Sequence, residues 1–405
     1  MKNKITSILS DFFYNIISSL ISTGVIQLVL YPTLANSLST DEYGKFLTII
    51  SIINVITLSL GNNLATTRLI KNVDYQDKKI IGDFNFLLLL SVLVNYLILY
   101  IYNNIEFRLS FIEFNYVALA SSLTIIRTYL SVAYRLRIDY KKNLILNVIL
   151  AIGFILGSRL FANYNYWPVI YIISNVLAII YIILTSNLFR ESFKLTINFR
   201  NTLKSYLFLI LSGFIGNLTT YLDKIIIYPV LGAASVSVFS VASFLGKSLA
   251  LVVTPVTSVF LSYLCNNSFS MTKKLYKILN VVFLALAIMV FLGCLLFQKQ
   301  ITSFLYPTVY EKAESYILIA NFASILGILS SFNGTITLKY APSYWQVIIS
   351  TIKITLYILL SIILMSKYEL YGFAIALIIT NSFNIILNFF VGYIYLGKNQ
   401  GVKNV

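Results

Sequence analysis

The chain has 405 residues, 59% of them hydrophobic and only 11% charged, and its mean hydropathy is +0.85. A soluble domain carries about 25% charged residues, so this composition excludes a water-facing surface of ordinary kind and, with it, a soluble enzyme. The net charge is +16 with no histidine; that removes His triads, His metal sites and His proton relays, and no cofactor is expected.

In chain order, Lys2 and Lys4 precede an apolar run that continues to about Thr33 and reads as an uncleaved first span. Apolar runs then recur to the C-terminal end. The predicted spans are 10–33, 44–66, 81–103, 112–134, 144–162, 167–188, 205–231, 235–263, 276–298, 314–336, 345–366 and 370–396. The expected fold class is all-α: a polytopic membrane protein of about twelve transmembrane helices. The two cysteines, Cys265 and Cys294, lie in or beside apolar runs and give no disulfide framework.

The basic residues set the expected orientation. With the N-terminus in the cytoplasm, 20 of the 30 Lys and Arg fall in inside segments, among them Arg68, Lys71, Lys78, Lys79, Arg190, Lys194 and Lys403. Six fall at outside ends, for example Arg108, Lys299 and Lys312. That asymmetry places both termini inside and requires an even number of spans. It also accounts for the positive charge without nucleic acid, since no basic cluster is interleaved with stacking aromatics outside the spans.

Residues 189–204 form an amphipathic basic linker at the chain's midpoint. On either side of it stand Tyr31-Pro32 and Tyr228-Pro229, 197 residues apart. The expected organisation is therefore two parallel six-helix lobes, 1–195 and 196–405.

Charges within spans are costly and need a reason. Arg127, Lys224, Lys247 and Lys353 are the cations, and Asp223 the clear carboxylate. Helix rise puts Arg127 and Lys353 roughly 10–12 Å from the cytoplasmic end, Lys247 near the middle, and Lys224 roughly 10 Å from the outer end. Snorkelling is the alternative account of Arg127 and Lys353, and a neutralising pair that of Asp223 with Lys224. Polar stripes accompany the charges: Ser212, Gly216, Thr220 and Lys224 in one row, and Asn381, Asn384 and Asn388 in another. Either they pack helices together, or they line a cavity whose cations suit phosphate or pyrophosphate. The candidate substrate-binding set is Lys224, Lys247, Arg127, Lys353, Asp223, Asn381, Asn384 and Asn388.

Two stretches carry a resemblance. One is Leu38-Ser39-Thr40-Asp41-Glu42-Tyr43-Gly44-Lys45-Phe46; the other is Asp223-Lys224 followed by Val230-Leu231-Gly232-Ala233 and Phe239-Ser240-Val241-Ala242. In these the chain resembles the Wzx-type polysaccharide (O-antigen) flippases of the MATE-like multidrug/oligosaccharidyl-lipid/polysaccharide exporter superfamily, with Phe239-Ser240 standing where Gly-Tyr pairs are usual. The resemblance implies a bacterial inner-membrane protein. It would move an undecaprenyl-pyrophosphate-linked oligosaccharide from the inner to the outer leaflet by alternating access. The partners implied are that lipid-linked anionic glycan, membrane lipids and other polysaccharide-assembly membrane proteins. The nearest rival is a MATE-like drug/cation antiporter, which needs more membrane carboxylates than Asp223. A membrane polysaccharide polymerase or ligase is the rival from another class, and it needs a larger outer loop.

Overall fold

The computed structural model describes residues 2–75, 82–164, 166–249, 253, 271–342 and 344–401. Lys78, Lys79, Cys265, Lys403 and the 250–263 part of the expected eighth span, residue 253 apart, lie outside them. All regular structure among the described residues is helical. Among the described residues ten helices are long and apolar enough to cross a membrane: α1 Ile16–Ser37, α2 Thr40–Lys71, α3 Asp83–Phe107, α4 Phe111–Leu136, α5 Tyr140–Phe161, α6 Pro168–Thr185, α7 Phe199–Ala242, α8 Lys273–Leu305, α9 Pro307–Tyr340 and α10 Tyr344–Leu396.

Two of the ten are pairs of helices joined end to end. Gly232 breaks α7 with φ 82°, and Glu369 breaks α10 with φ 49° and ψ −130°. The arms 199–231 and 233–242, and 344–368 and 370–396, correspond to the expected spans seven with eight and eleven with twelve. Gly232 adopts a positive φ at no steric cost. Glu369 does so against the preference of an L side chain, and such a residue persists only where its surroundings hold it. The hold is visible at Gly372, where a Cβ would fall 2.0 Å from the Leu364 carbonyl oxygen.

The chain packs as two compact units, Met1–Leu38 with Lys45–Ile225, and Ser39–Gly44 with Ile226–Val405. The expected lobe boundary at 195/196 thus lies inside the first unit, because the first arm of α7 packs there through Ile225.

In the first unit, Leu64, Phe84, Tyr129, Leu146, Ala178 and Tyr206 form the core between α2 and α7. Helices α5 and α6 approach closely because Gly153 and Gly157, four apart, lie against the backbone of Ser174 and Ile170. Tyr31-Pro32 falls just after a π-helical turn at Ile26–Leu30, one of the ways a helix absorbs the amide that proline lacks. A second π turn at Leu58–Asn62 presents the Leu60 carbonyl to the Tyr206 hydroxyl at 3.1 Å. Tyr206 also bonds Ser91 at 2.7 Å, so α2, α3 and α7 share one buried polar node.

The second unit is held by polar and aromatic contacts among α8, α9 and α10. Phe283 stacks on Phe332, and Tyr276 stacks on Phe389 while its hydroxyl donates to Asn333 at 2.9 Å. Lys273 and Lys277 lie over the Tyr393 ring at 4.7 and 5.1 Å. Residues 39–44 join this unit through Gly44, whose absent Cβ would sit 1.8 Å from the Ala233 carbonyl oxygen. The Ser237 hydroxyl donates to the Thr40 carbonyl at 2.5 Å. The two stretches that carry the family resemblance therefore touch, at positions 197 apart, the spacing of the Tyr-Pro pairs. On both units the large apolar side chains left exposed, such as Leu93 and Leu97 of α3 and Leu292 and Leu296 of α8, make the lipid-facing surface expected of a multi-pass membrane protein.

Candidate functional site

Helix geometry places the candidate residues in two sets, one per unit. In the first unit, α4 carries Arg127, whose Nε donates to Asn175 Oδ1 of α6 at 2.7 Å. Asn175 in turn donates to Thr124 at 3.0 Å and to the Tyr171 carbonyl at 2.7 Å. The guanidinium is thus oriented by a neighbouring helix within the bundle and does not snorkel away from it. A guanidinium has five donors; besides Nε, Nη2 donates to the Thr128 hydroxyl at 3.4 Å.

Asp223 and Lys224 lie on the first arm of α7. Lys224 Nζ stands 3.3 Å from Asp223 Oδ2, with side chains 15% and 7% exposed. Adjacent residues on a helix diverge by about 100°, so this contact requires the lysine stem to bend back. A pair desolvated to this degree contributes little net stability but leaves a costly lone charge if one partner is removed. Tyr221 lies within electrostatic reach of Asp223 and also of Tyr31 and Tyr171. The row leading to Lys224 is open. Gly216 and Thr220 are exposed, nothing lies within 4 Å of a Cβ built on Gly216, and the Thr220 hydroxyl bonds only back to the Gly216 carbonyl. Among the described residues, helix packing does not account for Gly216 and Thr220.

In the second unit, Lys247 follows the second arm of α7. Its ammonium lies 5.6 Å from the Phe239 ring centre, and the adjacent Gly246 amide donates to Asn321 Oδ1 at 2.7 Å. A Cβ on Gly246 would meet Ser324 at 2.7 Å, so this turn is pressed against α9 and the Lys247 stem is fixed at its root.

Lys353 is half-buried in the first arm of α10 and makes no hydrogen bond or ion pair with the described residues. It shares a face with Tyr357 and Ser361, four and eight residues on, both buried. The Ser361 hydroxyl and the Gln346 side-chain nitrogen on this arm are also buried with no partner among the described residues. A lysine and two polar atoms without described partners on one membrane helix form an unusual concentration of unmet demand.

Asn381, Asn384 and Asn388 are engaged with α9 and with one another. Asn381 donates to the Ala323 carbonyl at 3.0 Å, Asn384 to the Ser330 hydroxyl, and Asn388 to Asn384 at 2.9 and 3.0 Å, while Thr337 donates to the Asn388 carbonyl at 3.0 Å. Buried and spent in this way, the stripe fastens the second arm of α10 to α9.

A further polar cluster went unread in the sequence. Arg68, only 3% exposed, makes a two-point ion pair with Glu191 at 2.6 and 3.0 Å and lies 4.4 Å over the Phe84 ring. Asp83, fully buried, accepts from the Thr196 amide and hydroxyl and from the Tyr75 hydroxyl, all at 2.6 Å. Burial and that bond to a carboxylate push the Tyr75 hydroxyl up to about 12, so it stays a donor. The only sequence signal was the presence of Glu191 and Asp83 in otherwise basic or apolar stretches. No group of His, Cys, Asp and Glu suited to a metal ion occurs among the described residues.

An all-α, multi-pass membrane protein in two compact units, with a helix pair joined through a glycine at its middle, has the MATE-like fold. Solved structures bear this out. The chain superposes on the lipid II flippase MurJ in an inward closed conformation with a TM-score of 0.72, at 17% identity over 95% of this chain and 87% of that one. It superposes on an inward-facing multidrug resistance MATE family transporter of the MOP superfamily at 0.68, with 13% identity over 96% of each. A Vibrio cholerae MATE transporter matches at 0.63, with 13% identity over 97% and 96%. No protein-family model and no curated protein sequence matches the chain.

Proposed function

We propose that this protein is a bacterial inner-membrane flippase that moves an undecaprenyl-pyrophosphate-linked oligosaccharide from the inner to the outer leaflet. It does so by alternating access and without covalent chemistry, with both termini in the cytoplasm. The observation that carries the reading is Lys353: a lysine within a transmembrane helix, without a partner among the described residues, on the same arm as two polar atoms that also lack one there. An intramembrane cation kept without a counter-charge is best explained by a ligand that supplies one. Lys247 in the same unit, and Arg127 and the Asp223–Lys224 pair in the other, make cations the majority of the charges buried in spans, which favours an anionic cargo. The glycan head cannot cross hydrocarbon unaided, and an inside-negative potential assists outward movement of negative charge by about 2.3 kcal/mol per charge per 100 mV. The fold shared with a protein named as a lipid II flippase is consistent with this.

Ligand contact is assigned here to the lysines and Arg127, with Asp223 as the resting counter-charge of Lys224. Asn381, Asn384 and Asn388 hold α10 in place rather than bind. Deleting the gene should leave lipid-linked repeat units facing the cytoplasm and stop surface polysaccharide. Single repeat units already exposed outside but not polymerised would instead indicate the polymerase reading. The fold it shares with multidrug MATE transporters keeps a drug/cation antiporter as the second reading. That reading needs an anionic site, and the in-span carboxylate Asp223 is engaged by Lys224. Raised cationic-drug sensitivity on deletion, with surface polysaccharide intact, would favour it.

A further inference from the structure

Between α6 and α7 the chain runs through a short 3₁₀ turn at Leu188–Arg190, a stretch without regular secondary structure over 191–196 and a turn at 197–198. Thr196 bonds Asp83, and the Ser192 and Glu191 carbonyls accept from Asn85. Phe193, Leu195 and Ile197, by contrast, are 65%, 50% and 97% exposed. These three are not the lipid face of a helix; they project from a loop.

The loop cannot turn to bury them. The Arg68–Glu191 pair, the Asp83–Thr196 bonds and the donation from Asn198 to the Asp74 carbonyl at 2.9 Å pin it along its length. Gly82 lets its backbone approach, since a Cβ there would fall 2.1 Å from the Lys194 carbonyl oxygen. Arg190, Lys194, Arg200 and Lys204 are all exposed around it. The one acidic side chain of the segment, Glu191, is taken up by Arg68. Directly beyond Lys204, the exposed Leu207, Phe208 and Leu211 begin the lipid-facing side of α7. The segment thus displays apolar side chains and cations together at the start of a helix long and apolar enough to cross a membrane.

We propose that residues 190–204 form an interfacial anchor for anionic phospholipid. In it Phe193, Leu195 and Ile197 insert at the acyl boundary, and Arg190, Lys194, Arg200 and Lys204 engage headgroup phosphates. Apolar insertion flanked by basic residues is the chemistry that recognises an anionic leaflet. A nucleic acid leaves the apolar residues unused.

The test uses the full-length protein with Cys265 and Cys294 replaced by Ser, Ile197→Cys, and a polarity-sensitive fluorophore on that cysteine. It is reconstituted in vesicles of phosphatidylcholine alone or mixed equally with phosphatidylglycerol. In the mixture the emission should shift to the blue and be quenched by brominated acyl chains, more strongly than in phosphatidylcholine alone. Changing Arg190, Lys194, Arg200 and Lys204 together to Gln, all at exposed positions, should remove the difference between the two vesicles. Water-like emission in both vesicles would overturn the proposal and give the surface to a protein partner. Equal insertion in both vesicles by the unaltered basic segment would overturn the anionic-lipid assignment.

Discussion

At the scale of single residues the membrane-embedded cations differ in how much the protein itself satisfies them. Arg127 has Asn175, Lys224 has Asp223 and Lys247 lies over Phe239, whereas Lys353 has none of these. A group already paired in the resting protein must exchange one partner for another, and an unpaired one gains its first. Lys353→Gln should therefore reduce export the most for the least structural disturbance. The expected result is a tenfold or greater loss of surface polysaccharide at unchanged protein level, with Lys353→Arg retaining more. Wild-type export by Lys353→Gln would remove this residue from the substrate path. Lys224→Gln should behave differently, because it takes the counter-charge from the buried Asp223, a change that costs about 3–5 kcal/mol when a buried pair is broken. Its melting temperature should fall, and Asp223→Asn in the same chain should restore it; a melting temperature indifferent to both would show the pair to be solvated.

At the scale of elements, close approaches explain which glycines the fold requires. Gly44 lies against Ala233 and Gly372 against Leu364, in each case with backbone where a Cβ would go. Gly44→Ala should lower the yield of folded protein in detergent size-exclusion profiles, while Gly216→Ala, with open space around it, should not. Equal yields would contradict the docking of residues 39–44 on the second unit. The spans themselves were legible because twenty-residue apolar runs announce themselves by length alone. The breaks at Gly232 and at 367–369 were both legible as gaps between spans, but the positive φ of Glu369 was not, since a non-glycine residue at φ 49° is imposed by tertiary packing. The asparagine stripe was legible as one face of one helix, but its use was not. Periodicity says which residues share a face, and only the neighbouring helix decides that Ser330 and the Ala323 carbonyl await them. Arg68 with Glu191 was illegible for the same reason: 123 residues separate them, and Arg68 read as one more topogenic charge at a span's end.

At the scale of the whole molecule, the chain combines a MATE-like fold with an excess of cations in its spans and a strong bias of basic residues to one side. The bias expects both termini and the 189–204 linker in the cytoplasm. Cysteines introduced at Asn103 and Lys299 should then react with impermeant reagents from outside only, and reaction from the cytoplasmic side would overturn the orientation or the span count. The central claim is that the cargo is an anionic lipid-linked glycan and that the protein moves it between leaflets. Its most direct test is reconstitution of the purified protein into vesicles holding a pyrophosphate-linked oligosaccharide lipid, with a membrane-impermeant glycosidase outside. The account predicts that the protected inner-leaflet pool becomes accessible to the glycosidase with the wild-type protein and remains protected with Lys353→Gln. A pool that stays protected with active, correctly folded wild-type protein under an imposed membrane potential would contradict it.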